Sequence, residues 1–351
     1  MEPWINAGVT LVKLLIIANI LLVTVAYLVY FERKISAWAQ SRVGPNRVGP
    51  AGLLQPFADV LKLVLKEDII PDRANRTIHT LAPFLALFVA FTSFAVIPIG
   101  PDITIADEAM RQMFGDTFQF AIIPGINAGI LYVLALTSVG VYAITMSGWS
   151  SGSKYSLIGG VRSSAQMISY EISMGFSVAG VLILAQSLSP QEIIKSQSGL
   201  MWNMFVQPIG FITFLTAAFA ETNRLPFDLP EAEPELVGGY HTEYSSMKFG
   251  AFFLAEYANM ATSSALIVLL YLGGWQIPYI EKLGLPETWV IVLQVLAFFA
   301  KIGVLLFFFI WVRWSIPRFR YDQLMNIGWK VMFPLALLNL LWVAVVAMWM
   351  N

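Results

Sequence analysis

Val331-Met-Phe-Pro-Leu-Ala-Leu-Leu-Asn-Leu-Leu-Trp-Val-Ala-Val-Val-Ala-Met-Trp349 carries no charged side chain. Helix over that stretch is about 28 Å long, close to the ~30 Å hydrocarbon thickness of a bilayer. With the flanking Lys330 it is the last of eight such segments. The others fall near 9–30, 79–98, 119–146, 164–186, 201–220, 249–272 and 288–312. Composition agrees: 58% of the 351 residues are hydrophobic and 12% are charged, about half the charged share of a soluble domain. The chain therefore reads as one all-α polytopic membrane domain, residues 1–351, with eight transmembrane helices.

The same arithmetic removes other classes. A net charge of −1 on so apolar a chain fits neither disorder nor nucleic-acid binding. With no cysteine there are no disulfides, thiolate zinc sites or thiolate-held iron–sulfur clusters, and two histidines cannot ligate several haems. The chain is expected to bind no metal or cofactor of its own. Its first segment is too long, and lacks the basic start, for a cleaved signal peptide. No phosphate-binding glycine loop, His-Glu-x-x-His or Gly-x-Ser-x-Gly occurs.

Lysine and arginine set the orientation. Sixteen fall in the odd-numbered connections and their helix ends, and three (Arg111, Lys195 and Lys282) in the even-numbered ones. The positive-inside rule then puts both termini on the outer side. The inner connections are also the longer ones, as on a face that docks a partner.

The first inner loop, 31–78, repeats Arg-Val-Gly-Pro at 42–45 and 47–50. Arg42 and Arg47 either anchor the inner face or pair with acids of a partner or a neighbouring loop. Residues 52–67 then place Gln55, Asp59, Lys62 and Lys66 on one stripe of an apolar helix. This amphipathic helix is too short and polar to span and should lie in the interface or line a polar crevice. Anionic lipid would attract the lysines but not Asp59, which points to a function for the acid.

A second inner loop, 221–248, crowds Asp228, Glu231, Glu233 and Glu235 between prolines 226, 230 and 234. Prolines at that spacing prevent a regular helix. Leu225, Phe227, Leu229, Leu236 and Val237 give the loop apolar sides that favour burial. Buried, clustered carboxylates cannot all ionise, and some must hold protons near neutrality. Within the spans, Glu171 and Glu256 each cost about 3 kcal/mol to insert and so should face an interior or a water path. Glu221 stands at the inner end of the fifth span. Lys301 is a candidate ion-pair partner for one of these acids, and Lys13 should snorkel to the outer surface.

Taken together, Glu32-Arg33-Lys34, Arg42-Val-Gly-Pro-Asn-Arg-Val-Gly-Pro50 and Gly52-Leu-Leu-Gln-Pro-Phe-Ala-Asp59-Val-Leu-Lys62 resemble the H subunit of respiratory complex I, the proton-translocating NADH:quinone oxidoreductase. A second signature runs from Ala220-Glu-Thr-Asn-Arg-Leu-Pro-Phe-Asp to Gly239 and Glu243-Tyr244, with shorter matches at Ser169-Tyr-Glu171, Ala255-Glu-Tyr257 and Pro317-Arg-Phe-Arg-Tyr-Asp-Gln-Leu-Met325.

The resemblance implies that Glu32, Arg33, Arg42, Asp59, Lys62 and Arg224 line or support a quinone chamber. It implies that Glu221, Asp228, Glu231, Glu233, Glu235 and Glu243 form the adjoining acidic loop, and that Glu171 and Glu256 carry a carboxylate path into the membrane. Quinone would enter from the bilayer between the first span, the interfacial helix and the sixth span. Flavin (FMN) and iron–sulfur clusters would sit in partner subunits. Other membrane subunits and the quinone-site subunits of the peripheral arm would be the protein partners, in a bacterial inner (plasma) membrane. Three other readings remain open: the related subunit of an energy-converting hydrogenase, a proton-coupled transporter, and a pure scaffold. The chain shows no long internal repeat, which disfavours the transporter.

Overall fold

The computed structural model describes residues 3–104, 117–118, 121, 126–199, 201–229 and 237–350. Among the described residues the fold is helical apart from one antiparallel pair, β1 Ile103–Thr104 with β2 Thr117–Phe118. The helices are α1 Pro3–Ala39, α2 Gln55–Leu65, α3 Arg76–Phe94, α4 Gly129–Ser150, α5 Lys154–Ala185 and α6 Pro190–Ser196. They continue as α7 Asn203–Val206, α8 Pro208–Glu221, α9 Ser246–Tyr271, α10 Glu287–Ser315, α11 Tyr321–Asn326 and α12 Phe333–Met350. Seven of the resulting segments are long and apolar enough to cross a membrane, the last running from α11 through α12.

The fifth segment departs from the unbroken span expected at 201–220. Backbone at Gln207 leaves the helical region and Pro208 restarts the helix, so α8 has 14 residues, about 21 Å. The break is patched from a distance. Asn339 of α12 accepts at 2.9 Å from the Gly210 amide, a donor that a helix start leaves open, and donates to the Gln207 side chain at 3.2 Å.

Two helices form the centre. The α9 helix packs against α1, α2, α3, α8 and α10, and α5 packs against α4, α8 and α12. Phe214, Tyr271, Phe298 and Phe309 are among the side chains that fill the core around them. Glycine lets backbones meet where the acidic loop returns: a Cβ on Gly159 of α5 would stand 2.6 Å from the Gly239 Cα. Any larger residue there would push the loop away from α5.

Lys301 pairs with no intramembrane acid among the described residues. Its Nζ donates to the carbonyls of Leu272, Gly274 and Gln276 at 2.8, 2.9 and 2.8 Å and lies 4.5 Å from the Trp202 ring centre. Those carbonyls follow the C-terminus of α9, where the helix dipole favours a cation. Three acceptors offset much of the cost of taking the ammonium out of water.

Candidate functional site

The turn after α8 aims the first functional residue. Asn223 adopts φ 50°, the Asn223 amide bonds Ala220 O at 3.3 Å, and the Arg224 amide bonds Phe219 O at 3.2 Å. This is a Schellman closure, which needs a residue tolerant of the left-handed region, and asparagine supplies it. From α5, Gln166 Nε2 holds the turn by donating to Ala220 O at 2.8 Å and Phe227 O at 2.7 Å. The turn sends Arg224 inward, where it is 3% exposed.

There Arg224 Nε lies 2.9 Å from Glu256 Oε1 of α9, and Nη1 lies 3.6 Å from Glu32 Oε2 of α1. Its guanidinium also sits 4.2 Å from the ring centre of Tyr257. Glu32, itself buried, accepts from the Tyr257 hydroxyl at 2.7 Å and pairs with Arg313 of α10. Four separate elements thus meet in one charged cluster whose members would each be costly to bury alone. Arg313 and the role of Tyr257 were missed from sequence, because both look like ordinary helix-end and span residues.

A second group lies across a small cavity from the first. Glu171 of α5 accepts from the Ser138 hydroxyl of α4, and the neighbouring Thr137 lines one cavity together with Glu221. Glu171 is close enough to Glu221 for their charges to repel. Glu171 is held from behind, since Tyr170 donates to Leu324 O at 2.9 Å and Trp329 donates to Ser169 Oγ at 3.1 Å. Between the two groups is a cavity of about 40 Å³ lined by Thr137, Glu221, Asn223, Tyr240, Glu256 and Asn259, among others. On a scale of roughly 10–15 Å³ per site it has room for about three waters. Thr137 and Ser138 gave a sequence signal, adjacent hydroxyls in the middle of an apolar span, that charge counting passes over.

The interfacial stripe divides. Asp59 is half-buried, 2.7 Å from Arg33 Nη1 and accepting from Gln55 Nε2 at 3.0 Å. Lys62, Lys66, Arg42 and Arg47 are exposed, as are the apolar Phe57, Leu61 and Leu65. Asp228 is buried and pairs with Arg318 at 3.1 Å. Glu243 is half-buried beside Tyr244, whose phenol burial pushes up to about 12. Glu231, Glu233 and Glu235 lie outside the described residues. An apolar cavity of about 490 Å³ runs between α1 and α10, lined in part by Tyr27, Phe31 and Phe307. It lies on the α10 side of α1, whereas the resemblance places the quinone entrance on the α2 and α9 side.

Long apolar helices enclosing paired charges define a multi-pass membrane protein. Residues 12–344 match the family described as NADH dehydrogenase. One relative, from Rhodothermus marinus, is named NADH-quinone oxidoreductase subunit 8 and is 51% identical over 339 residues, 94% of each chain. Another, from Cytophaga hutchinsonii, is named as a first H subunit of NADH-quinone oxidoreductase and is 50% identical over 323 residues, 92% of each. A third, of the same name from Solibacter usitatus, is 45% identical over 394 residues, 97% of each. The chain belongs to the family of H subunits of NADH-quinone oxidoreductase, complex I.

Proposed function

We propose that the chain is the membrane subunit of a bacterial proton-pumping NADH:quinone oxidoreductase, where it forms part of the quinone chamber and couples quinone reduction to proton translocation. The observation that carries this reading is the pair of connected groups: Glu32, Arg224, Glu256 and Arg313 on one side of the 40 Å³ cavity, Glu171 and Glu221 on the other. In the proposal, partner subunits holding FMN and iron–sulfur clusters deliver two electrons, and the quinone takes up two protons to become quinol. Proton uptake near the Arg33–Asp59 pair and the acidic loop shifts the charge felt by Arg224 and Glu256. Glu221 and Glu171 answer by passing a proton between them. Glu231, Glu233, Glu235 and Glu243 belong to the loop part of this path, and Arg42 and Lys62 to the chamber rim. The exposed inner arginines anchor the peripheral arm. The eighth span is completed by α7 and α8 together, both termini face outside, and the location is the plasma membrane.

Asp59→Asn tests the chamber. It removes the charge that Arg33 pairs with at 2.7 Å. Quinone reductase activity is expected to fall about tenfold, the size of one charge-assisted contact, while electron transfer from NADH to an artificial acceptor stays intact. Equal loss of both activities would overturn the assignment. Orientation is tested by single cysteines on this cysteine-free chain. A cysteine near Arg320 is expected to react only from the inner side and one near Asp107 only from the outer side. The reverse pattern would invert the topology.

A further inference from the structure

The interfacial helix α2 is fastened at both ends. Near its start, the Tyr30 hydroxyl of α1 donates to Ala51 O at 2.8 Å, and Arg33 holds Asp59. Past its end, the chain is bolted to the beginning of α9. Ser246 Oγ donates to Leu63 O at 3.0 Å, meeting a carbonyl that the end of α2 leaves open. The Ile69 amide donates to Ser245 Oγ at 2.8 Å, and that hydroxyl lies 3.3 Å from Glu67 O. Lys248 Nζ pairs with Asp68 at 2.8 Å. Ser246 takes φ 55°, an unfavourable backbone for serine, at the point where these contacts converge.

The residue before this junction is also fixed. Tyr244 is buried with its ring stacked on His79 of α3 at 3.9 Å, and its hydroxyl lies 3.3 Å from Ser150 Oγ of α4. One face of α2, with Phe57, Leu61 and Leu65, is turned outward, while its other face packs on α1 and α9. A shift of α2 therefore pulls on Ser245 and Ser246, the exit of the acidic loop and the first turn of the helix that carries Glu256.

We infer that the contacts between Leu63–Ile69 and Ser245–Lys248 form a joint that passes a displacement of α2 into the acidic loop and α9. Ser245 and Lys248 are then positioning residues for coupling, and they touch neither quinone nor the relayed proton. This rests on the coupling role proposed above and assigns it a mechanical input.

The test uses the assembled complex in vesicles with a pH-sensitive dye. Ser245→Ala with Lys248→Met is compared with Lys248→Arg, and transfer to an artificial acceptor serves as the assembly control. Loosening the joint is expected to raise amide exchange over residues 55–65 and to lower protons pumped per electron about twofold or more, the range seen when a coupling contact is removed. Quinone reduction should stay above about half, because the site itself is untouched. Lys248→Arg should restore the ratio. An unchanged ratio, or turnover and pumping falling in parallel, overturns the joint. If the double variant does not assemble, Asp68→Asn removes only the exposed end of the ion pair, and an unchanged ratio there overturns it equally. A parallel Glu221→Gln sample separates the two ideas: full pumping in that sample sinks the carboxylate path, whereas lost pumping there with a normal ratio in the loosened joint sinks only the joint.

Discussion

Arg224→Met is expected to destabilise the chain by about 3–5 kcal/mol and to leave little assembled complex. The guanidinium is buried beside the carboxylates of Glu32 and Glu256. Removing it leaves both acids in place without the cation that makes their burial tolerable. Arg224 stands 2.9 Å from Glu256 and 3.6 Å from Glu32, which also pairs with Arg313, so loss of the guanidinium is felt more strongly at Glu256. Adding Glu256→Gln to Arg224→Met should therefore recover much of the yield, and adding Glu32→Gln should recover less. Arg224→Lys should fall between, because an ammonium keeps the charge but loses the planar stack on Tyr257. Yield of complex from membranes, followed by thermal inactivation, checks the series. Equal rescue by the two glutamine changes would contradict the asymmetry read from Arg313.

Most of the spans were legible because a bilayer imposes a rule that acts residue by residue: charge-free length. The fifth segment shows where that rule stops. Gln207 and Pro208 are uncharged, so the break between α7 and α8 leaves no trace in a charge count, and its patch, Asn339, comes from the other end of the chain. Lys301 illustrates a related gap. A buried lysine suggests a carboxylate partner, yet three backbone carbonyls serve it, and carbonyls have no sequence signature. Glu256 was legible as an expensive charge and Arg224 only through the resemblance; that one answers the other depends on the Asn223 turn and on α1, α9 and α10 converging. Glu171 was legible for the same reason and Glu221 as the acid that ends the fifth span, while Ser138, which binds Glu171, was hidden among apolar neighbours.

A relay through those two acids makes pumping depend on both, and proton pumping by Glu171→Gln and Glu221→Gln measures that dependence. Glutamine preserves the volume and, at position 171, an acceptor for the Ser138 hydroxyl, but removes a proton-binding step. Each single change is expected to lower quinone-linked pumping about tenfold or more, in line with the loss of one proton-transfer group. The double change should cost little beyond the worse single one, because members of one transfer chain are not additive. Lys301→Met should rescue neither, since that lysine serves carbonyls rather than Glu171. The deciding measurement is dye-reported acidification in vesicles holding the assembled Glu171→Gln complex, with NADH and quinone supplied and transfer to an artificial acceptor intact. Near-complete loss of acidification is expected; pumping at the level of the unsubstituted complex would contradict the relay.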